Sequence, residues 1–437
     1  MTQQSVPDDD FARGIALFNQ EHFFEAHEVL EDVWRAAPAQ EKKFLQGLVQ
    51  LAVAFHHHST GNRMGMRSVM ERGIRNISGH NPTHGIDVDP LLISLANWQR
   101  GLDNGEPLPE LPRIEMYASG YKTPTTLAKV EQARRNIQGI ALRTPLVRCN
   151  AEAPCELYLK LENLQPIGSF KIRGAANVMA LTPREQLARG VLAASAGNMA
   201  QGVAFCARRM AIPATIVAPE TAPATKIQAV ERMGARVIKA PFAEWWRTFE
   251  TRSYPGVDAT TFIHAFDDPH VMAGNGTIAV ELLEDLPDLD AVVIPWGGGG
   301  LTCGIASVLR AKAPRVKVYA AEIETGAPLA ASLAAAAPCT VDYKPSFVDG
   351  IGSKMVFASM FEHARNLIDG SLIVSLREAS RAMKLVAERN RIIAEGAAAC
   401  AIAAALSGRA GHGKVVAIIS GGNIDLEKFA EIVSEAN

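Results

Sequence analysis

Four consecutive glycines, Gly297 to Gly300, constrain the fold of this chain more than any other stretch. They follow the apolar run Ala291 to Ile294 and lead into Leu301-Thr-Cys-Gly-Ile-Ala306, a helix-like start. An unbroken apolar run of strand length, closed by a turn signal, reads as a strand buried on both faces of a parallel sheet. A tight strand-to-helix turn needs only one or two glycines. Four in a row let several backbone N–H groups close around a phosphate, and the helix dipole helps to hold it. The run is not G-x-G-x-x-G, and no Lys-Ser/Thr follows, so it is neither the dinucleotide fingerprint nor the P-loop.

Around this turn the pattern alternates. Val191 to Ala194, Ala214 to Val217, Arg236 to Lys239, Val316 to Glu322 and Val415 to Ile419 are further strand-like runs. Met199 to Met210, Thr225 to Met233 and Thr277 to Leu286 are the clearest helical runs between them. Strands separated by helices imply crossover connections, hence a mostly parallel sheet with helices on both faces, the α/β class.

Upstream, Ser169-Phe-Lys-Ile-Arg-Gly-Ala175 follows the alternating Tyr158 to Glu162 and opens a helix-like segment through Ala180. That order places Lys171 at a helix N-terminus, where free N–H groups and the dipole gather positive charge. An ammonium is disfavoured there, which keeps the amine available as a neutral nucleophile. A surface lysine on a first turn would show the same pattern, so the lysine needs the other two stretches beside it. The remaining one is Ser195-Ala-Gly-Asn-Met-Ala-Gln-Gly202, directly after a strand-like run. Small residues and an amide at the carboxyl end of a strand can line the crevice of an α/β sheet.

Together these stretches resemble the fold-type-II pyridoxal-phosphate enzymes, in the threonine dehydratase and serine racemase branch. Arg143-Thr-Pro-Leu146, Phe266-Asp-Asp-Pro269, Ala273-Gly-Asn-Gly-Thr277 with Glu281, Asp349-Gly-Ile351, Glu395-Gly-Ala397 and Ser420-Gly-Gly-Asn423 match in order and spacing. The resemblance begins near Thr123 and covers nearly three-quarters of the chain. It implies a two-lobed, tryptophan synthase β-like fold with pyridoxal 5'-phosphate as cofactor. The smaller, mobile lobe, roughly 182–266, would be inserted in the larger.

The resemblance also implies roles. Lys171 would hold the cofactor and then act as general base on the substrate Cα–H. Phe170 would pack on the pyridine ring, Asn198 would bond its 3-hydroxyl, and Gly297, Gly298, Gly299 and Gly300 would hold its phosphate. Ser420 would face the ring nitrogen, and Gly350 and Glu395 would complete the walls. Glu395 also fits a plain helix-N-terminal carboxylate before an alanine-rich helix. Ser195, Gly197, Asn198 and Met199 would form the substrate site. Met199, Trp296 and Asn275 depart from the family's usual histidine, small aliphatic and glutamine.

Ala196 bears on the product. Racemisation needs a second acid/base on the opposite face of Cα, and the racemases have a serine before the Gly-Asn of this loop. Alanine transfers no proton, so the expected reaction is α,β-elimination of water from L-threonine or L-serine, with hydrolysis of the product giving 2-oxobutanoate or pyruvate plus ammonia. The alternatives are racemisation or 3-hydroxyaspartate dehydration on the same scaffold, or an assembly protein whose helical part recruits a partner. The resemblance to the racemase branch implies a divalent-cation site with carboxylates near Glu322, but Pro328 falls where one is expected, so no metal is expected.

The first hundred residues read differently. Phe11 to Phe18, Phe23 to Trp34, Phe44 to His56, Met64 to Ile77 and Leu91 to Leu102 repeat apolar residues at helical spacing, which predicts a small bundle over 1–102. Phe24-Glu-Ala-His-Glu-Val-Leu-Glu-Asp-Val-Trp34 and Gly47-Leu-Val-Gln50 resemble a bacterial all-helical domain of unknown function. His27 and Glu31 share a helix face, and His56, His57 and His58 end a later helix. A metal site is conceivable there, against a polar network or solvent-facing side chains. A Pro- and Glu-rich linker, 103–122, would join the bundle to a catalytic part, 123–437.

The net charge of −2 offers nothing to nucleic acid or anionic membranes, and no apolar run reaches spanning length. Six scattered cysteines without a C-x-x-C pair, and a polar amino terminus, fit a cytoplasmic protein. The scaffold implies a homodimer or homotetramer.

Overall fold

Phe23, Ala26, Leu30 and Val33 recur every three or four residues and form the buried face of one helix. The same spacing builds five helices in the computed structural model: α1 (Asp8–Asn19), α2 (Phe23–Ala36), α3 (Ala39–Ser59), α4 (Arg63–Ile77) and α5 (Val88–Asn104). The structure describes residues 8–78, 86, 88–105, 107–114, 123–258 and 261–436. Most of the polar amino terminus, and residues 106 and 115–122 of the expected linker, lie outside them. Two compact units divide the chain, Met1–Thr123 and Pro124–Asn437.

In the first unit, Phe18, Phe23, Phe55 and Trp98 meet mostly edge to face, with centroids 5.2–5.8 Å apart. The motif residues Gly47 and Gln50 have packing reasons. A Cβ on Gly47 would come within 2.5 Å of Ile77, and Gln50 Oε1 accepts from Asn76 at 3.0 Å. His27 Nε2 lies 3.1 Å from Glu31, which also takes Arg35 at 2.7 Å. Among the described residues no three His, Cys, Asp or Glu side chains group as metal ligands. The stretch 107–114, read above as linker, lies against the bundle. Trp98 Nε1 donates to the Glu110 carbonyl at 2.8 Å, and Asn19 and Ile114 exchange two hydrogen bonds.

The second unit contains two sheets. Strands β1 (Leu146–Arg148), β2 (Glu156–Lys160), β3 (Val191–Ala194), β4 (Ala214–Pro219), β5 (Arg236–Ala240), β6 (Thr261–Phe262), β7 (Ala291–Pro295), β8 (Lys317–Ile323), β9 (Gly370–Val374) and β10 (Lys414–Ile418) alternate with helices. The larger sheet has the order β1-β2-β10-β7-β8-β9 and the smaller β5-β4-β3-β6. Every pairing is parallel except β1 with β2. All five residues of β7 are buried, as its unbroken apolar run requires. Strands β1 and β6, three and two residues long, are too short to be read from sequence, and β9, Gly-Ser-Leu-Ile-Val, was missed.

The helices of this unit are α6 (Leu127–Asn136), α7 (Lys171–Leu181), α8 (Arg184–Ala188), α9 (Asn198–Met210), α10 (Ala224–Arg232), α11 (Phe242–Thr251), α12 (Pro269–Asp285), α13 (Gly300–Lys312), α14 (Pro328–Ala335), α15 (Ala358–Leu367), α16 (Leu376–Asn390), α17 (Gly396–Leu406) and α18 (Leu426–Glu435). Helices α7 and α12 approach closely. A Cβ on Gly274 would lie 2.5 Å from the Arg173 carbonyl. Strands β2, β10 and β7 are neighbours, so their carboxyl ends bring the lysine stretch, Ser420 and the four glycines together.

Candidate active site

Strand β10 runs on past Ile418 and stitches down the turn before α7. Phe170 N–H donates to the Ser420 carbonyl at 3.0 Å, and Gly422 N–H to that of Gly168 at 2.9 Å. Gly168 needs its positive φ of 70°, and a Cβ there would meet Asn423 Oδ1 at 2.5 Å. This turn makes Lys171 the first residue of α7 and buries its amine. Nζ donates to the Ala265 carbonyl at 2.7 Å and lies 5.0 Å from the Phe170 ring centroid. Burial pushes the amine down to about 8, against the nearby Glu395 charge. The helix-terminus position read from sequence is correct, but desolvation is the main cause of the shift.

The four glycines end β7 and start α13. A Cβ on Gly298 would overlap the Phe266 ring, and one on Gly299 the indole of Trp296. One on Gly300 would lie 2.7 Å from Phe266 Cα, and one on Gly297 3.1 Å from the Gly350 carbonyl. Gly299 also has φ +91°. Gly298, Gly299 and Gly300 are thus required by close neighbours, and Gly297 is tightly flanked, which a plain turn would not demand so many times over. Among the described residues, the N–H groups of Gly297 to Gly300 donate to no protein acceptor.

Asn198, the first residue of α9, joins the two lobes. Its Nδ2 donates to both oxygens of Glu395 at 2.9 and 3.2 Å, and its Oδ1 accepts from Asn423 at 2.8 Å. Glu395 is the N-cap residue of α17 yet makes no side-chain cap, so it is not a helix-terminus carboxylate of the ordinary kind. Burial raises its carboxyl to about 7, and the Asn198 hydrogen bond opposes the rise. Gly350 sits beside it; a Cβ there would be 3.6 Å from Glu395 Oε1. Lys226 of α10 pairs with Asp349 at 2.6 Å across the same region.

One expectation for the Ser195 loop changes. Gly197 N–H donates to Ser195 Oγ at 3.2 Å, which leaves the Ser195 hydroxyl proton free to donate. Met199, expected in the substrate pocket, is 2% exposed and packs with Ile167, Ile172 and Val203 in an apolar cluster. Glu322 accepts from Leu329 and Ala330 N–H at 2.8 and 2.7 Å, and from Ser371 at 2.6 Å.

A buried ionic network underlies the lysine turn and was missed from sequence. Arg173 binds Glu162 at 2.8 Å and Glu281 at 2.6 Å, and Lys160 binds Glu281 at 2.6 Å. The prior signals were Arg173's place two residues after Lys171 and Glu281's place in a matched motif, and neither shows that the two pair. His264 and the Ala265 carbonyl were also missed, since no motif reading singles them out.

The residues fit pyridoxal phosphate. Its carbonyl calls for a buried amine of depressed basicity, and its phosphate for a turn of unengaged N–H groups at a helix start. Around both, Ser169 Oγ, Asn275 Oδ1, Trp296 Nε1 and Thr302 Oγ1 are buried without a hydrogen-bond partner.

Known proteins agree. Residues 137–421 match the family described as pyridoxal-phosphate dependent enzyme, and residues 11–69 match a domain of unknown function (DUF309). The chain is 41% identical over 317 residues to an L-threonine ammonia-lyase of Thermotoga maritima, covering 71% of this chain and 78% of that one. It is 38% identical to an L-threonine ammonia-lyase of Geobacter sulfurreducens over 320 residues, with the same two coverages. Among solved structures, maize serine racemase superposes with TM-score 0.66 at 30% identity, covering 71% of this chain and 98% of that one. Threonine deaminase isoform 2 of Solanum lycopersicum gives 0.64 at 33%, covering 74% and 93%. The chain therefore belongs to the fold-type-II pyridoxal-phosphate-dependent enzymes, with a DUF309 domain at its amino-terminal side.

Proposed function

We propose that this protein is a threonine/serine ammonia-lyase: α,β-elimination of water from L-threonine or L-serine, followed by hydrolysis of the resulting enamine by a water molecule, gives 2-oxobutanoate or pyruvate with net release of ammonia. The observation that carries the reading is a buried, hydrogen-bonded Lys171 amine in a chain 41% identical to a threonine ammonia-lyase. Bound pyridoxal phosphate supplies the electron sink that acidifies Cα–H and lets the β-hydroxyl leave.

The chain's own groups do the rest. Lys171 holds the cofactor and takes the Cα proton; an amine titrating near 8 is partly neutral at physiological pH. The amides of Gly297, Gly298, Gly299 and Gly300 hold the phosphate, and Phe170 packs against the ring. Asn198 reaches the 3-hydroxyl, held by Glu395 and Asn423. Ser420 faces the ring nitrogen; a hydroxyl, unlike a carboxylate, does not favour protonating it. Gly350 and Glu395 line the wall, and Ser195, Gly197 and Asn198 receive the substrate carboxylate. Ala196 carries no proton to the opposite face of Cα, which favours elimination over racemisation.

The same reading covers the setting. It has the bundle over 1–102, the linker over 103–122 and the catalytic part over 123–437, with the small lobe near 182–266. It has a homodimer or homotetramer in the cytoplasm, supported by six unpaired cysteines. No helix among the described residues is long and apolar enough to cross a membrane.

The test is 2-oxo acid release from L-threonine, L-serine and 3-hydroxyaspartate, with chiral analysis of the remaining amino acid, on wild type and Lys171→Ala. Oxo acid from threonine or serine, absent in the variant and without D-isomer, is expected. D-serine with little pyruvate would overturn the argument from Ala196.

A further inference from the structure

His264 stands just outside the Phe266-Asp-Asp-Pro269 motif, and the reaction described above gives it no part. It is 3% exposed, with its ring 4.3 Å from that of Phe249 and 4.7 Å from that of Phe266. Its Nδ1 accepts two backbone donors, Asp267 N–H at 2.7 Å and Phe266 N–H at 3.3 Å. A nitrogen that accepts carries no proton, so the ring is the tautomer protonated at Nε2. Burial, reinforced by the Arg252 and Lys171 charges, depresses its basicity to about 3, so it stays neutral across the working range. The imidazole is therefore neither acid nor base here but a fixed acceptor.

What it fixes is the turn that touches the reaction centre on two sides. The Ala265 carbonyl, between His264 and Phe266, accepts from Lys171 Nζ at 2.7 Å. Phe266 packs so closely on the glycine turn that a Cβ on Gly300 would lie 2.7 Å from its Cα. Arg252 holds the turn from outside, donating to the Asp267 carbonyl at 3.2 Å. We infer that His264 is a positioning residue: by gathering the Phe266 and Asp267 N–H groups on Nδ1, it aims the Ala265 carbonyl at Lys171 and so orients the amine's lone pair. This inference rests on Lys171 being the base of the proposed reaction. With one N–H committed to Ala265, the lone pair is restricted to the two remaining tetrahedral directions, and the same carbonyl stabilises the ammonium formed when the proton arrives.

Two substitutions of similar polarity separate this role from simple packing. His264→Asn puts an acceptor oxygen where Nδ1 stands, whereas His264→Gln moves the acceptor one bond further out. Both are made in the full chain and compared with wild type. Kinetics are read with the cofactor bound. The acylation rate of Lys171 is read by mass spectrometry against pH in the cofactor-stripped chain.

The Asn variant should keep kcat and a labelling midpoint near the wild-type value, about 8. The Gln variant should lose kcat by about tenfold, the equivalent of one or two backbone hydrogen bonds, with KM little changed. Its labelling midpoint should move by about half a unit or more. If Asn and Gln behave alike in both readouts, whether both retained or both lost, the inference is overturned. If wild type fails to act on threonine or serine, the proposed function falls, while the labelling comparison still decides the role of His264.

Discussion

Replacing Arg173 by methionine tests whether the buried ionic network is needed to hold the lysine turn. Two cations, Lys160 and Arg173, balance two carboxylates, Glu162 and Glu281, and all four are buried. Methionine keeps most of the arginine stem but leaves one cation for two carboxylates. Removing one partner of a buried pair costs about 3–5 kcal/mol, because the other charge stays buried without compensation. At about 2 °C per kcal/mol for a domain of this size, the melting temperature should fall by about 6–10 °C.

The pH dependence gives a second signature. In the native chain burial would raise the Glu162 carboxyl, but the Arg173 charge and hydrogen bonds hold it below the ordinary carboxylate range. That stabilisation is present above the ordinary range and is lost as pH falls through the lowered value. Without Arg173 burial wins and the folded-state pKa rises. The variant's loss relative to wild type should then be larger at pH 8 than at pH 6, since the unpaired carboxyl destabilises the fold as pH rises. Adding Glu162→Gln should restore more than half of the loss by removing the unpaired carboxylate. Thermal melts of the full chain at the two pH values read all of this. A single variant melting within about 2 °C of wild type at pH 8 would refute the reasoning.

Two further outcomes follow from the site. Burial raises Glu395 to about 7, so its contribution to stability is present below the ordinary carboxylate range and is lost as pH rises through about 7. In cofactor-stripped protein, Glu395→Gln should flatten that fall by on the order of 3 kcal/mol between pH 4.5 and 7; an unchanged slope in denaturant melts would contradict the assignment. Gly298→Ala should weaken pyridoxal phosphate binding by about tenfold or more, since the new methyl overlaps Phe266. The Phe266 ring is flanked by His264, Phe249 and Phe357, with centroids 4.7–5.3 Å away, which resists its displacement. Retained affinity in a fluorescence titration would show that the ring moves.

Local chemistry accounts for what the sequence determined alone. Glycine runs, apolar periodicity and the lysine stretch act over a few residues, and the elements around them fall close to where their pattern predicts. The strand at Ala291–Pro295 and the helix at Asn198–Met210 are examples. The helical bundle is equally legible, because a 3.6-residue apolar repeat has one stable outcome. Tertiary structure decided what depends on distant partners. Glu395 turns from its own helix to Asn198, 197 residues away in sequence, and Lys171 finds the carbonyl of Ala265. Met199 goes to the core because the apolar neighbours of α9 outweigh its motif position. The charge network joins Lys160, Glu162, Arg173 and Glu281 only once β2, α7 and α12 meet. Sequence spacing sets which face a residue shares with its neighbours in the chain. Burial and pairing, which set the amine and carboxyl pKa values, exist only when remote segments exclude water together.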